Sequence, residues 1–524
     1  MRLAFVVVLA ACTSKSDAPA PTRAPAKPPS VESTIAARDY IGPAACGECH
    51  PEQHALWMTS LHRVMNQRAE GDAVIADLDK PLVYRDGTVR MERDERGYAM
   101  TFARGGQTVR YRITRTIGRR SLQEYVGVVE GGDRAPREPI EVRLPVGWWP
   151  RLAGFYPQPF FDPWLGEDEV DIYAPVREPW AERCPWCHST YPFEQRIVRA
   201  SGPRKIGHGL EQFFAEAGRG VDRPRLEIAQ QVTTGISCES CHLGGRAHAD
   251  GAPIHFVPLG AEPRTNAPAP TAFAVERLDR EIVNTVCAQC HSGPSPRFPD
   301  GSASRNSSEA LDLAASPCTT ARCTHCHDPH RGGASEPRAI AACTECHDAL
   351  RDPPAARAHA GTGHDGVTCL DCHMPKLTMG IDRYVRSHRI SSPTDRTMLA
   401  AAAPNACNLC HLDRSIRWTL AELKLAVGNL DAYGEPDEAV GTVWLQSREP
   451  DLRVMAAMAY ARSKLGKYAL AEVLPLLDDP RPYVRTWTQF AVEEILGRRP
   501  LAYDPRAASA VRKAAIQKLR TIRE

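Results

Sequence analysis

Apolar and polar positions alternate along this chain in two distinct rhythms. From Pro51 to Arg68, the residues Leu56, Trp57, Leu61, Val64 and Met65 fall roughly on one face at helical spacing, which predicts an amphipathic helix. Between residues 80 and 145 the rhythm shortens to alternation. Thr108–Ile113 and Tyr125–Val129, punctuated by Asp-Gly and Gly-Gly, predict a small antiparallel β insertion. The aromatic, Pro-rich stretch Val146–Trp164 predicts packing and no further role. After about residue 412 helical spacing returns in Trp418–Val427, Glu438–Gln446, Leu452–Leu465, Leu470–Leu477, Val484–Leu496 and Ala507–Leu519, separated by Pro-containing or charged breaks.

The first residues follow neither rhythm. Arg2, the apolar run Leu3–Ala11 and then Cys12 predict a signal peptide over 1–11, because the run is too short to span a bilayer. The tetrad Leu9-Ala10-Ala11-Cys12 resembles a bacterial lipobox, so Cys12 is expected to be lipidated and to tether the protein to a membrane surface. A Pro- and Ala-rich linker reaches to residue 38 and is expected to be extended. No later stretch approaches 18 apolar residues, so no membrane-spanning helix is expected. A formal charge of +2 leaves no basic footprint for nucleic acid.

Cysteine changes the picture. Of 18 cysteines, all but Cys12 and Cys318 fall into Cys-x-x-Cys pairs, and histidine follows every pair at once. The first four motifs are Cys46, Cys49 and His50; Cys184, Cys187 and His188; Cys238, Cys241 and His242; and Cys287, Cys290 and His291. The last four are Cys323, Cys326 and His327; Cys343, Cys346 and His347; Cys369, Cys372 and His373; and Cys407, Cys410 and His411. One helical turn places residues i and i+3 on a common side, where two thiols reach two vinyl groups on one porphyrin edge. The next residue directs its imidazole under the ring as the proximal iron ligand. Zinc sites also use paired cysteines, but they have no requirement for a histidine directly after each pair. Eight covalent c-type haems are therefore expected. With the last five motifs crowded between Cys287 and His411, short helices and long loops must wrap a close array of them.

The sixth position on each iron separates carrier from catalyst, since a haem closed by two histidines passes electrons without binding substrate. Of 18 histidines, eight are proximal and the rest suffice in number to close every iron. The best-placed distal candidates are His62, His248, His330, His364 and His388. His330 lies too near His327 to serve the same iron and is expected to reach a neighbour. His208, His255 and His359 are open either way, and His54 and His325 read as ordinary surface histidines.

These stretches resemble multihaem c-type cytochromes related to the cytochrome c-554 group. The likeness is carried by Tyr40–His50 with Trp57 and His62, by Gly235–His242 with His248, by Cys369–Pro375 with His364 and His388, and by Pro404–His411. The resemblance implies that histidines at such offsets are distal ligands, often of a haem other than the nearest, and that the role is electron transfer in the periplasm. Separately, Val473–Arg485 resembles a HEAT-type turn between paired helices. The expected fold is mainly α, with long loops around a covalent haem array, a small β insertion and C-terminal α-solenoid-like helices. The expected domains are an octahaem domain at 39–414 and a HEAT-like helical domain at 415–524. The expected function is electron transfer, with redox proteins (other cytochromes or membrane oxidoreductases) as partners and a lipid-anchored location in the periplasm or on the outer face of a bacterial membrane. The alternative is an octahaem oxidoreductase of small nitrogen or sulfur oxyanions with one open iron.

Overall fold

The computed structural model describes residues 33–132, 140–176, 179–193, 228–256, 280–293, 295–318, 320–333, 335–428, 430–499 and 501–521. The leader, Cys12, most of the linker and His208 lie outside the described residues.

The alternating segment folds as an antiparallel meander of β2 (Leu82–Tyr84), β3 (Gly87–Asp94), β4 (Gly97–Arg104), β5 (Gln107–Ile117), β6 (Glu124–Gly132) and β7 (Val142–Arg143). β1 (Asn66–Arg68) completes a seven-stranded sheet by pairing with the far end of β5, so the sheet begins before the expected insertion. Arg85 and Asp86 both take positive φ between β2 and β3, the left-handed pair that a two-residue hairpin turn needs. Val89, Met91, Met100, Phe102, Tyr111 and Ile113 are buried on one face. On the other, Arg112 bridges Asp94 at 2.7 Å and Glu130 at 2.8 Å. The aromatic stretch adds the hairpin β8 (Val146–Trp149) and β9 (Gly154–Pro157), which carries the sheet's core into the C-terminal helices.

All six expected C-terminal segments contain helix. They centre on Ile416–Glu422, Val440–Leu445, Pro450–Ala461, Gly466–Val473, Pro482–Leu496 and Ser509–Arg520. The segment Leu470–Leu477 is not one helix, because Pro475 lacks the N–H to continue it and a 3-10 turn, Leu474–Asp478, takes over. Pro482–Leu496 is buried on nearly all sides, so it forms the centre of the packing. Its Phe490 stacks edge-on to Trp149 at 5.3 Å. Its Arg485 is fully buried, with donors on the carbonyls of Asp479, Pro480 and Pro505 and an ion pair to Glu167 at 2.6 Å. A buried guanidinium with its donors satisfied is tolerable where an unpaired one is not.

The expected helix over Pro51–Arg68 is broken. Pro51–Met58 ends at Thr59, Ser60 caps a new turn over Leu61–Val64 by accepting the Arg63 N–H at 3.3 Å, and the chain then straightens into β1. Hydroxyl side chains compete for backbone groups in this way, and apolar spacing alone does not register it.

Candidate haem sites

Each motif forms one tight turn. The histidine N–H donates to the carbonyl of the first cysteine in seven motifs, from 2.8 Å at His242 and His411 to 3.2 Å at His188, and the remaining motif is the helix Cys369–His373. That turn sets the two cysteines side by side with the imidazole following, as thioether attachment requires.

The spacing predicts a helical turn at every motif, and two of the second cysteines depart from it. Cys49 and Cys346 close the helices Pro43–Cys49 and Glu336–Cys346, and Cys187, Cys326, Cys372 and Cys410 also lie within helices. Cys241 and Cys290 do not. The 3-10 turn Cys238–Ser240 ends just before Cys241, and the helix Arg280–Ala288 ends two residues before Cys290. Their N–H groups instead reach back three residues, from Cys241 to the Cys238 carbonyl at 3.1 Å and from Cys290 to the Cys287 carbonyl at 3.2 Å. A three-residue bond eclipses side chains i and i+3, so the two thiols of each pair stay on a common side without a helix. Cys49, Cys346 and Cys410 are exposed, whereas Cys241 and Cys290 are half-buried. Cysteine is ordinarily among the most buried residue types, so exposed thiols at the first, sixth and eighth motifs suit attachment to a group outside the side-chain core. Among the described residues no group of three or more His, Cys, Asp or Glu is placed to hold a bare metal ion.

Six proximal imidazoles face a second imidazole. The pairs are His50 with His248 at 6.1 Å between ring centroids, His242 with His330 at 6.3 Å, and His291 with His62 at 6.5 Å. The others are His327 with His388 at 6.1 Å, His373 with His359 at 6.0 Å, and His411 with His364 at 6.3 Å. An imidazole nitrogen binds a first-row metal at about 2 Å and its ring centre lies roughly 1.1 Å further back, so two rings on one iron should stand about 6.2 Å apart. The residues fit the group. Four pairs are near parallel, with interplanar angles from 7° to 21°, whereas His62–His291 at 68° and His364–His411 at 84° are crossed.

The hydrogen bonds on these rings leave one nitrogen for a metal. The Nδ1 atoms of His248, His364 and His373 lie 2.8, 2.9 and 2.8 Å from the carbonyls of Ala252, Ala360 and Ser391. Nδ1 of His291 lies 3.2 Å from Glu309 Oε2. Such partners fix ring orientation and tautomer and leave Nε2 available. Burial, then the charges of His291 and His327, push His62 down to about 4. Burial, then His330, His248 and His50, does the same to His242. Neutral imidazole is the ligating form. The Glu309 hydrogen bond raises His291. Glu309 itself is pushed up by burial but brought down to about 2 by His291.

All five expected distal candidates, His62, His248, His330, His364 and His388, therefore stand opposite a motif histidine, and His330 faces His242 rather than its neighbour His327. His359 does as well, although sequence reasoning left it open. Only its position in the motif-dense stretch spoke for it, since its offset from His373 has no helical meaning. His54 packs beside Trp57 at 5.4 Å, and His325 accepts from the Arg322 guanidinium at 3.0 Å. His255 is buried, with no hydrogen-bond partner on either ring nitrogen among the described residues. Among the described residues no second imidazole stands opposite His188 or His347. His188 lies under the sheet, 5.9 Å from the Trp180 ring.

A family model described as cytochrome c552 matches residues 358–424, the stretch holding the last two motifs with His359, His364 and His388. The repeated motif turns and this match make the chain a multihaem c-type cytochrome, with covalently bound haem as its cofactor. No curated protein sequence matches it. Two solved structures match the chain at low similarity. The outer cell wall cytochrome OcwA is 15% identical, with a TM-score of 0.40, 92% of this chain and 100% of that one being covered. The octaheme sulfite reductase MccA of Wolinella succinogenes is 16% identical, with a TM-score of 0.32, 93% of this chain and 84% of that one being covered.

Proposed function

We propose that this chain is an octahaem electron carrier held outside the cytoplasm by a lipid on Cys12. The observation that carries the reading is the set of six facing imidazole pairs at iron-spanning distance. Bound haem supplies an iron that alternates between ferric and ferrous states. The protein holds imidazoles on both faces of six sites, which shuts out exogenous ligands and keeps the coordination the same in both states. Redox proteins, such as other cytochromes or membrane oxidoreductases, would dock on the folded body, and the C-terminal helices, read as HEAT-like pairs, offer one such face. No helix among the described residues is long and apolar enough to cross a membrane, so attachment would rest on Cys12. Cys12→Ser should move the protein to the soluble fraction, and continued membrane association would reject the anchor.

The deciding measurement is electron paramagnetic resonance of the oxidised holoprotein. Low-spin signals should dominate. The two crossed pairs should give strongly anisotropic signals with a large principal g value, and the four near-parallel pairs should give ordinary rhombic ones. A mainly high-spin spectrum would reject the reading.

A second reading is an oxidoreductase of small nitrogen or sulfur oxyanions with one open iron. It is favoured by His188 and His347, which face no second imidazole among the described residues. A minor high-spin signal that shifts with nitrite, hydroxylamine or sulfite would support it.

A further inference from the structure

The motifs touch one another in a definite sequence, and that sequence is not their order along the chain. Numbering the sites 1 to 8 by motif, Glu239, between the two cysteines of site 3, accepts the N–H groups of Ile41 and Gly42 at 3.0 and 2.8 Å, and the site 1 helix Pro43–Cys49 that follows them packs on the turn Cys238–Ser240. Site 1 is therefore joined to site 3, with site 2 bypassed. Site 3 meets site 4 where Gln289 donates to the Ser240 carbonyl at 3.2 Å. Site 4 meets site 5 where Asn284, on the helix Arg280–Ala288 that carries Cys287, accepts the Cys323 N–H at 2.9 Å and donates to the Ala321 carbonyl at 3.1 Å.

From there the order follows the chain. Arg338, on the helix that ends in the site 6 cysteines, donates to the carbonyls of His325 and Thr324 in site 5 at 3.1 and 2.9 Å. Arg386 ties Glu336, at the start of the same helix, to Asp371 in site 7 at 2.8 and 3.0 Å. The site 7 helix Cys369–His373 packs on the site 8 helix Ala406–Cys410. Site 2 stands to one side. Trp186 donates to the Gln289 carbonyl at 3.3 Å, Thr190 shares a hydrogen bond with Ser240 at 2.9 Å, and the sheet residues Ile117 and Val126 cover Trp180 and Cys184.

We propose that the electron path runs through sites 1, 3, 4, 5, 6, 7 and 8 in that order, with site 2 a side branch at the junction of sites 3 and 4. This rests on the haem-binding reading above. Tunnelling falls off exponentially with the gap between partners, so contact between attachment turns decides which transfers are fast. Each step moves one electron from a ferrous site to the adjacent ferric one, with no bond made and no proton moved. A one-electron donor protein serves one end and a one-electron acceptor protein the other.

The test uses the full holoprotein with a ruthenium photosensitiser on Gln53→Cys, next to site 1, and His364→Met at site 8. Histidine–methionine ligation raises a haem's potential and gives it a distinct absorption band, so site 8 becomes a readable sink. Adding His388→Ala opens the site 5 iron to a high-spin state with a shifted potential and no methionine band, so site 8 alone keeps that signal and arrival there should slow by at least about tenfold. Cys184→Ala with Cys187→Ala should remove one haem by mass and slow arrival by no more than about twofold, because the branch is off the line. If that pair does not mature, Trp186→Ala, which cuts the tie to Gln289, takes its place, keeping every haem by mass and slowing arrival by no more than about twofold. Arrival insensitive to the change at site 5, or slowed as much by losing site 2, overturns the order. A missing methionine band in His364→Met, or a wild type without covalent haem, instead overturns the ligand reading beneath it.

Discussion

The sheet with its C-terminal helices and the motif-bearing stretch are held together by different means. In the first, one continuous core runs from Val89 and Phe102 through Trp149 to Phe490 and Leu519. In the second, between residues 320 and 370, the only buried apolar side chains among the described residues are Ala339 and Leu370. Burial of apolar area is the main favourable term in folding, at roughly 25 cal/mol per Å², and this stretch has little to bury except cofactor. One region stores its fold in side chains, the other in what is attached to it.

The largest expected effect breaks the comparison directly. In a chain expressed without haem attachment, amides across residues 320–370 should exchange as in an unfolded chain while those of β3 to β6 stay protected. Equal protection in both regions, read by hydrogen exchange, would mean that the motif-bearing stretch has its own core after all. Next, Phe490→Ala opens a cavity between Trp149 and Trp487 and should cost about 3–5 kcal/mol. Thermal unfolding should show the loss while the haem absorption spectrum keeps its shape. A spectrum altered in step would show that the two regions are not separable.

A smaller effect belongs to the motif region alone. His359→Ala should turn one haem high-spin in paramagnetic resonance and leave the sheet's melting transition in place; an unchanged spectrum removes His359 from the ligand set. The smallest concerns the helical end. Burial pushes Asp478 up, but the Ser509 hydroxyl and Arg512, 2.6 Å away, hold it below the usual carboxylate range. Its contribution is present above the ordinary value near 4 and is lost as pH falls through the lower folded value. Solvent screening keeps it at about 1 kcal/mol or less. Melting curves of the wild type and Asp478→Asn should therefore converge on acidification and separate near neutrality.

What could be read from sequence divides along the same line. The strands and C-terminal helices follow local periodicity, and the motifs announce themselves through fixed spacing. Both are short-range signals, and both were legible. Ser60 was not, because a hydroxyl cap interrupts an otherwise good apolar face. Spacing tells which thiols share a side, but a helix and a three-residue turn satisfy it equally, so the turns at Cys241 and Cys290 looked the same as those at Cys49 and Cys346. Which imidazole faces which was not legible either. His62 meets His291 and His50 meets His248 across long stretches of chain, and nothing in the spacing of either partner encodes the other. His359 was left undecided for that reason. Among residues that were read as plain, His54 and His325 face no motif histidine.

The facing pairs also carry a schedule. A chain that is exported N-terminus first presents His62, His359 and His364 before the motifs they face, so the sites of His291, His373 and His411 find their second imidazole already waiting. The sites of His50, His242 and His327 must wait for His248, His330 and His388 to emerge. With the proposed ligation, half of the six paired sites would close at once during assembly, and the other half would stand open on one side until later chain arrives to seal them.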